Sequence, residues 1–327
     1  MDFTLGERQQ AVADLAAEVL TAEDPWKELA RAGLLDVSPP DGLGVLEVAV
    51  LLTEIGKRAP SMKALATLMT GALPLARWGG QHLRQTLLTA VTSGEILLTA
   101  ALREPPTPSA TSVTDGRITG TKIGVLYAEQ SHLILVPARL TPGDGVALIR
   151  PGAEGVELIR TPSSSGEPEY ALRLDRAPVV GMLGGADCVR DLYQLAAAGA
   201  CALADGAVAG ALALTRDHVA SREQFGRPLA AFQAVSQQIA DVYIVSRTMH
   251  LATLSACWRL SEGLDAGADL EVAGYWCAEQ APRSVRHCHH LHGGIGMDAT
   301  YPLHRFSSLV ADLTRFLGGV ALPCSST

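Results

Sequence analysis

A short polar segment, residues 221–229, lies where two long helical patterns meet and contains Arg222. An arginine at such a junction offers a permanently charged group that can bind a pyrophosphate through two hydrogen bonds. A second segment, residues 291–297, contains the adjacent glycines Gly293 and Gly294. Since glycine has no Cβ, its backbone N–H groups can approach a phosphate closely. Together, the two segments predict a site for the phosphates of a dinucleotide.

Each of these features also has an interpretation that involves no ligand. Arg222 could be a solvated charge at the end of a helix, and Gly293 with Gly294 could end a helix at a turn. A run of metal-binding side chains comes just before the glycines: His287, Cys288, His289, His290 and His292. These side chains belong to several faces of one helix, and the sequence offers no complementary cluster elsewhere. We therefore predict no metal site.

The composition of the chain excludes several classes of protein. Of its 327 residues, 48% are hydrophobic and 18% are charged, which is enough apolar material for a large core. These values exclude a disordered chain, a collagen and a small disulfide scaffold. The net charge of −8 argues against nucleic acid or an anionic membrane as the main partner.

The sequence favours a cytoplasmic location. The first residues lack the basic and apolar regions of a signal peptide. The six cysteines show no CxxC spacing and lie mostly in apolar helical stretches, as free thiols of a reducing compartment do. Residues 192–214 are almost wholly apolar, but Asp205 near their centre favours a buried helix over a membrane span.

Hydrophobic periodicity divides the chain into three parts. Residues 1–94 have helical patterns, with interruptions around Pro74 and at Gly79 and Gly80. Residues 95–185 break into short runs rich in Val, Ile and Leu between turn residues. Such runs predict a small antiparallel β-sheet.

Residues 186–327 return to long helical patterns and contain both candidate segments. Helices are predicted over about 187–220, 231–262, 268–291 and 300–316. Because their connections are short, we expect an antiparallel four-helix bundle. The predicted fold is therefore α+β, mainly α, with an N-terminal helical domain, a middle β-sheet domain and a C-terminal bundle.

This order of helices, sheet and helices, together with the two segments, resembles the acyl-CoA dehydrogenase family. The resemblance rests on Arg-Glu-Gln-Phe-Gly-Arg-Pro at 222–228, Phe-Gln at 232–233 and His-Gly-Gly-Ile-Gly at 292–296. It spans nearly the whole chain, although the N-terminal helical domain is shorter than in a typical member. In that family the cofactor FAD lies across a subunit interface.

The resemblance assigns a role to each motif residue. It implies that Arg222 reaches the FAD diphosphate of the neighbouring subunit, that Phe225 packs near the adenosine and that Gln233 hydrogen-bonds the cofactor. It also implies that the backbone of Gly293 and Gly294 approaches the dinucleotide. One further contact in the family comes from a glutamine. Here that position is His290, a departure that leaves this contact open.

The catalytic base of the family is missing from this sequence. The family removes an α-proton of an acyl-CoA thioester with a carboxylate, while the β-hydrogen leaves as hydride to the flavin. Most members carry this Glu at the position of Leu317, and a second subgroup carries it at the position of Ala196. Asp191 and Asp205 lie in the same predicted helix as Ala196, but more than one turn from it. We therefore predict no catalytic residue in this chain.

The flavin-ring side of the site also departs from the family. The usual Thr-Glu-Pro is Arg-Glu-Pro at 103–105, and the usual Trp-Ile-Thr after Gly-x-Lys is replaced by Ile-Gly-Val at 123–125. The chain thus resembles the short, base-lacking subunit of heterotetrameric α2β2 acyl-CoA dehydrogenases that act on steroid side-chain thioesters. The resemblance implies a longer homologous partner that supplies the Glu, an acyl-CoA substrate and an electron-transfer acceptor.

Two other hypotheses remain open at this point. The chain could be an inert subunit that stabilises a related dehydrogenase and binds no flavin. It could also form a self-sufficient homotetramer that uses an unorthodox base.

Overall fold

The computed structural model describes residues 3–58, 61–106 and 110–318. Its first part is helical, with α1 (Glu7–Val19), α2 (Pro25–Arg31), α3 (Val45–Arg58), a π-helical segment (Leu65–Ala72), α4 (Leu73–Trp78) and α5 (Gln81–Thr92). Gly79 and Gly80 separate α4 from α5, as predicted. The interruption predicted around Pro74 is wrong. Pro74 lies in the first turn of α4, where its missing N–H is tolerated, and the chain changes from π-helical to α-helical geometry without a break.

The middle part is one eight-stranded sheet. Its strands are β1 (Leu97–Ala100), β2 (Ser112–Thr114), β3 (Arg117–Leu126), β4 (Ser131–Arg139), β5 (Asp144–Ile149), β6 (Val156–Thr161), β7 (Glu169–Pro178) and β8 (Gly181–Leu183). They are arranged in the order β6-β7-β3-β2-β4-β5-β8, and β1 pairs with β4. The pairings are antiparallel except those of β1 and β2 with β4, so the sheet is mixed rather than wholly antiparallel. The sequence did not predict β2 and β8, because three-residue strands carry no clear alternation.

The third part is the predicted helical bundle, and a hairpin that the sequence did not predict connects its first two helices. Its elements are α6 (Ala186–Ser221), β9 (Glu223–Gln224), β10 (Arg227–Pro228), α7 (Gln233–Ser261), α8 (Gly267–Tyr275), a π-helical segment (Trp276–Gln280), α9 (Ala281–His292) and α10 (Leu303–Leu317). The four predicted helices are present, the third as α8, the π-helical segment and α9 in succession. The mainly helical α+β fold class is confirmed. The predicted division into domains at residues 94/95 and 185/186 stays a prediction.

The helix α6 is the central element of the structure. By length and composition it could span a membrane, but 89% of its most apolar window is buried inside the protein. Its alanine-rich surface packs against α3 on one side and against α7, α9 and α10 on the others. This burial is that of a core helix, while the cytoplasmic location stays a prediction. The cysteines at 188, 201, 257, 277 and 288 are buried and free, and Cys324 lies outside the described residues.

The helices α3 and α6 cross so closely that side chains are excluded at their contact. A Cβ on Gly206 would lie 2.0 Å from the carbonyl oxygen of Thr53, and one on Gly56 would lie 2.4 Å from that of Leu203. The hydroxyl of Thr53 donates a hydrogen bond to the carbonyl of Ala202 at 3.2 Å. This contact fixes the N-terminal helices against the helix that leads to the candidate site.

We expect the substitution Gly206→Ala to destabilise the protein by about 2 kcal/mol, since the added methyl group must push α3 away from α6. The matched control is Gly274→Ala in α8, where an added Cβ would meet no atom within 4 Å. There the better helix propensity of alanine predicts a neutral or slightly stabilising effect. Urea unfolding of the three proteins measures both changes. Equal stabilities of the two variants would contradict this account of the contact.

Candidate functional site

Arg222 is held in place by the small hairpin that follows α6. Its own backbone is extended (φ −77°, ψ 120°), which directs the chain out of the helix. The hairpin turn consists of Phe225 and Gly226, both with positive φ values, 55° and 77°. Such a turn matches the natural twist of two short strands. The N–H of Leu229 donates to the carbonyl of Arg222 at 2.8 Å, so both ends of the hairpin are joined.

The predicted site residues of this hairpin are directed to the outside of the chain. Phe225 is 92% exposed, and it contacts Phe232 edge to face with 6.2 Å between the ring centres. Arg222 is exposed, and within the described part of the chain its guanidinium makes no ion pair. Gln233 is also exposed, as the first residue of α7. An exposed phenyl ring beside an unpaired arginine is suited to a ligand or partner outside this chain.

Gly293 and Gly294 follow the last residue of α9 and leave open space beside their Cα atoms. Gly293 has φ 64° and ψ −138°, a conformation that side chains rarely allow. A Cβ at either glycine would meet no atom within 4 Å, and both residues are exposed. The structural interpretation, a glycine that ends a helix, is therefore correct, but it does not exclude the functional one. The N–H of Gly293 is donated to the carbonyls of His289 and His290, so what the two glycines offer a phosphate is room for a close approach.

Two histidines bring these separate segments together. The ring of His292 stacks on that of His218, with 4.5 Å between ring centres and 17° between planes. The Nδ1–H of His292 donates to the carbonyl of Cys288 at 2.7 Å, and its Nε2 accepts from the hydroxyl of Tyr301 at 3.0 Å. His218 lies one helical turn before Arg222. The stack thus places the end of α6 next to the end of α9, which carries the two glycines.

The remaining histidines do not converge. His289 donates from Nδ1 to the carbonyl of Gly296 at 2.9 Å and hydrogen-bonds Ser307 at 3.0 Å, which ties the glycine turn to α10. His287 and His290 are exposed. In residues 3–58, 61–106 and 110–318, no group of three or more His, Cys, Asp or Glu side chains is placed to hold a metal ion. The contact proposed for His290 stays a prediction.

Burial lowers the pKa of both stacked histidines. The pKa of His218 falls below its ordinary value because its ring is partly desolvated and because the positive charge of Arg222 is near. Burial likewise lowers the pKa of His292, helped by repulsion from His218 and His289. Both rings are therefore neutral at neutral pH, and Arg222 supplies the positive charge of the site.

The positions expected for a catalytic base hold no acid. Ala196 is fully buried in α6, and Leu317 is the last residue of α10. One turn after Ala196, a Cβ on Gly199 would lie 2.6 Å from Cγ of Met69 and 2.7 Å from Cδ1 of Leu65. The space beside this part of α6 is therefore filled by the π-helical segment 65–72.

The nearby carboxylates are used for other purposes. Asp191 accepts hydrogen bonds from the side chains of Arg77 and Trp78. Asp205 is 2% exposed and contacts Nδ1 of His250 at 2.8 Å. That neither Asp replaces the missing base stays a prediction.

A charge network occupies the sheet side of the chain. Arg103 lies against Gly124, where a Cβ would be 3.2 Å from its Nη1. Burial lowers the pKa of Arg103, although the charge of Glu169 acts in the opposite direction. Glu169 also accepts a hydrogen bond from Arg315 at 2.6 Å, and Arg315 contacts Asp312 at 3.2 Å. Arginine therefore fills the space next to residues 123–125.

Sequence reasoning did not single out His218, Glu169 or Arg315. His218 had one usable signal, its spacing of one helical turn from Arg222. Glu169 and Arg315 are 146 residues apart, and no local pattern connects them.

We expect the substitution His292→Gln to reduce the pH dependence of stability. The unfolded chain gains protons on its histidines as the pH falls through about 6.5, whereas the native stack resists protonation. The free energy of unfolding of the wild type therefore decreases as the pH falls from about 7.5 to about 5.5, and that of the variant decreases by less. The variant also loses about 1–3 kcal/mol at the higher pH, since hydrogen bonds to Cys288 and Tyr301 are disturbed. Unfolding in urea at both pH values measures this, with His82→Gln at an exposed position as the control. Identical pH profiles of wild type and His292→Gln would contradict it.

Comparison with known proteins identifies the family. The model described as acyl-CoA dehydrogenase, N-terminal domain matches residues 2–95, and the acyl-CoA dehydrogenase, C-terminal domain matches residues 184–320. The acyl-CoA dehydrogenase FadE28 of Mycobacterium tuberculosis is 46% identical over 98% of this chain and 96% of its own length.

Two solved structures extend the similarity to the whole fold. The ChsE4-ChsE5 complex from Mycobacterium tuberculosis contains a chain with a TM-score of 0.90 and 30% identity, over 98% of this chain and 96% of that one. A variant of the Tcur3481-Tcur3483 steroid ACAD has a TM-score of 0.89 and 33% identity, over 97% and 95% of the two chains. The motifs, the fold and these relatives agree, and the chain belongs to the acyl-CoA dehydrogenase family of oxidoreductases.

Proposed function

We propose that this chain is the non-catalytic subunit of a heteromeric acyl-CoA dehydrogenase. It binds the adenosine-diphosphate half of an FAD whose flavin ring lies on a longer, homologous partner subunit, and the partner supplies the catalytic Glu. One observation carries the proposal: the stack of His218 on His292 joins the helix ends that carry Arg222 and the two glycines, while the positions for a base hold Ala196 and Leu317.

The residues present fit the diphosphate of FAD. A pyrophosphate carries negative charge and accepts hydrogen bonds, so it needs a cation and N–H donors. Arg222 supplies the cation, and no other described residue neutralises it through an ion pair. Gly293 and Gly294 leave room for a close approach of the diphosphate, since no atom crowds the space of a Cβ there, while the N–H of Gly293 is donated to carbonyls of α9. The exposed ring of Phe225 offers an apolar surface for the adenosine.

Each side chain then has a defined task. FAD, when bound, supplies the acceptor for the hydride that leaves the substrate. Arg222 neutralises the diphosphate and fixes its position, while Gln233 and His290 add hydrogen bonds at its edge. The neutral stack of His218 and His292 holds α6 and α9 in register without adding a charge that would compete with Arg222. No residue of this chain takes the α-proton of the thioester.

In this chain, side chains fill the spaces that a flavin ring and an acyl chain would need, which supports separate roles for two subunits. Arg103 occupies the space beside Gly124, and Met69 and Leu65 fill the space beside Gly199. A flavin ring and an acyl chain would need this volume. One FAD per pair of unlike subunits follows, rather than one per chain.

The substrate class we propose is an acyl-CoA thioester with a bulky, steroid-type side chain. Support comes from the similarity to the steroid ACAD, which is 33% identical over nearly the whole chain, and from FadE28. An electron-transfer acceptor would receive the electrons from the flavin of the complex.

The substitution Arg222→Ala tests the FAD site. We expect the purified complex with the partner to lose FAD, because removing the guanidinium of Arg222 takes away a positive charge that neutralises the diphosphate. A charge-assisted hydrogen bond contributes about 1.5–3 kcal/mol, so we expect affinity for FAD to fall at least about tenfold. Flavin absorbance per complex measures the loss, and Arg190→Ala near the start of α6 is the matched control. Full retention of FAD by Arg222→Ala would support the inert-subunit hypothesis instead.

Co-expression tests the requirement for a partner. We expect the chain alone to be colourless, and the chain co-purified with a longer homologue encoded nearby to be a yellow tetramer with one FAD per heterodimer. Absorbance at the flavin maximum and light scattering measure the stoichiometry and the mass. A yellow homotetramer with one FAD per chain would contradict the proposal and support the self-sufficient enzyme.

A further inference from the structure

A cavity of about 740 Å³ lies midway along the bundle, away from the residues of the proposed FAD site. It is lined by α1, α3, α6 and α7 and open to solvent on one side, and its size is within the range of pockets that hold small organic ligands. Its wall is largely apolar, formed by Leu5, Ala13, Ala209, Leu212, Ile239 and Ala240. The proposed function makes no use of this cavity.

The inner end of the cavity contains a hydrogen-bonded pair of one Asp and one His side chain. Asp205, 2% exposed, lies among the alanines of α6, and its Oδ2 is 2.8 Å from Nδ1 of His250. Because a carboxylate only accepts, the Nδ1–H of His250 is the donor, and Nε2 is the ring nitrogen left for another contact. Among the described residues no hydrogen bond to Nε2 is formed. His250 lines the cavity, so this nitrogen is available to a polar group of a ligand.

The charges at the mouth of the cavity are mainly positive. Arg247 lines it, is exposed, and makes no ion pair in the part of the chain that the structure describes. Lys57 also lines it, and its partner Glu54 is shared with Arg58. Lys57 and Arg58 thus share the single carboxylate of Glu54, and Arg247 adds a third positive charge. Arg216 is balanced by its neighbour Asp217 at 2.9 Å.

We infer that this cavity binds an apolar molecule that carries one carboxylate. The apolar body would contact the wall formed by α6 and α7, where Tyr243 offers a half-exposed ring. The carboxylate would bind Arg247 and Lys57 at the mouth, where burial is incomplete and a charge keeps part of its hydration. Charge complementarity selects an anion over a cation, because the excess at the mouth is positive.

Isothermal titration calorimetry with decanoate tests the inference, and 1-decanol serves as the neutral probe of equal length. The protein is the complete complex, and the chain alone is measured in parallel. We expect decanoate to bind once per chain in both, and Arg247→Ala to weaken its affinity about tenfold with little effect on decanol. Ala240→Trp, which places a large ring in the cavity from an exposed position, should abolish binding of both probes. Arg190→Ala, an arginine outside the cavity, should change neither.

Three results would overturn the inference. They are no binding of decanoate to the wild type, equal losses for decanoate and decanol in Arg247→Ala, and binding that Ala240→Trp leaves intact. Binding to the chain alone that disappears in the complex would also overturn it, since the partner subunit would then occupy the cavity. The readout does not involve flavin, so the outcome is independent of whether Arg222 binds FAD.

Discussion

The stacked rings of His218 and His292 are the contact on which the candidate site depends. One ring belongs to the end of α6 and the other to the end of α9, and their centres are 4.5 Å apart. Hydrogen bonds to Cys288 and Tyr301 fix the orientation of His292 from both of its nitrogens. Without this contact the two motifs would be attached to separate helix ends with no defined relation. Burial keeps the rings neutral, so the stack connects the two helix ends without adding a charge, and Arg222 carries the positive charge.

The side of the molecule with the glycine turn and the side with the sheet differ in whether their polar and charged groups have partners. On the side of the glycine turn, groups that could be satisfied internally are left open: an unpaired arginine, an exposed phenyl ring and uncrowded backbone. On the sheet side, Arg103 lies against Gly124, and Glu169 with Arg315 forms an ion pair. A charge already paired and partly buried resists displacement, since breaking one partner away leaves the other uncompensated. This contrast supports the proposal that the chain contributes half of a shared site.

The rigidity of α6 connects these features. Its small residues let α3 approach to backbone contact at Gly56 and Gly206, and they also let Met69 and Leu65 pack onto Gly199. The same helix carries Asp205 at its centre and ends at the hairpin of Arg222. A long helix packed on every side along most of its length cannot rotate independently, so the position of its C-terminal end is set by its entire core. The close contacts of α6 thus fix the position of the candidate site at its C-terminal end.

Local patterns in the sequence predict the helix–sheet–helix order, the four bundle helices, the two motifs and the absence of an acid at the positions of Ala196 and Leu317. These features are local: periodicity, turn residues and short motifs carry them, and each is visible within a window of a few turns. Around Pro74 the local signal was misleading, because the first turn of a helix tolerates a residue without an N–H.

Contacts between distant side chains depend on the three-dimensional packing of the chain and could not be predicted from local patterns. The stack of His218 on His292, the pair of Glu169 with Arg315 and the pair of Asp205 with His250 join residues that have no common local pattern. Their partners are chosen by the packing of whole helices and strands, and packing depends on the summed shape of many side chains. For that reason the sequence could predict the residues of the site. It could not predict the stack of His218 on His292 that connects them, nor the ion pair of Glu169 with Arg315 on the sheet side.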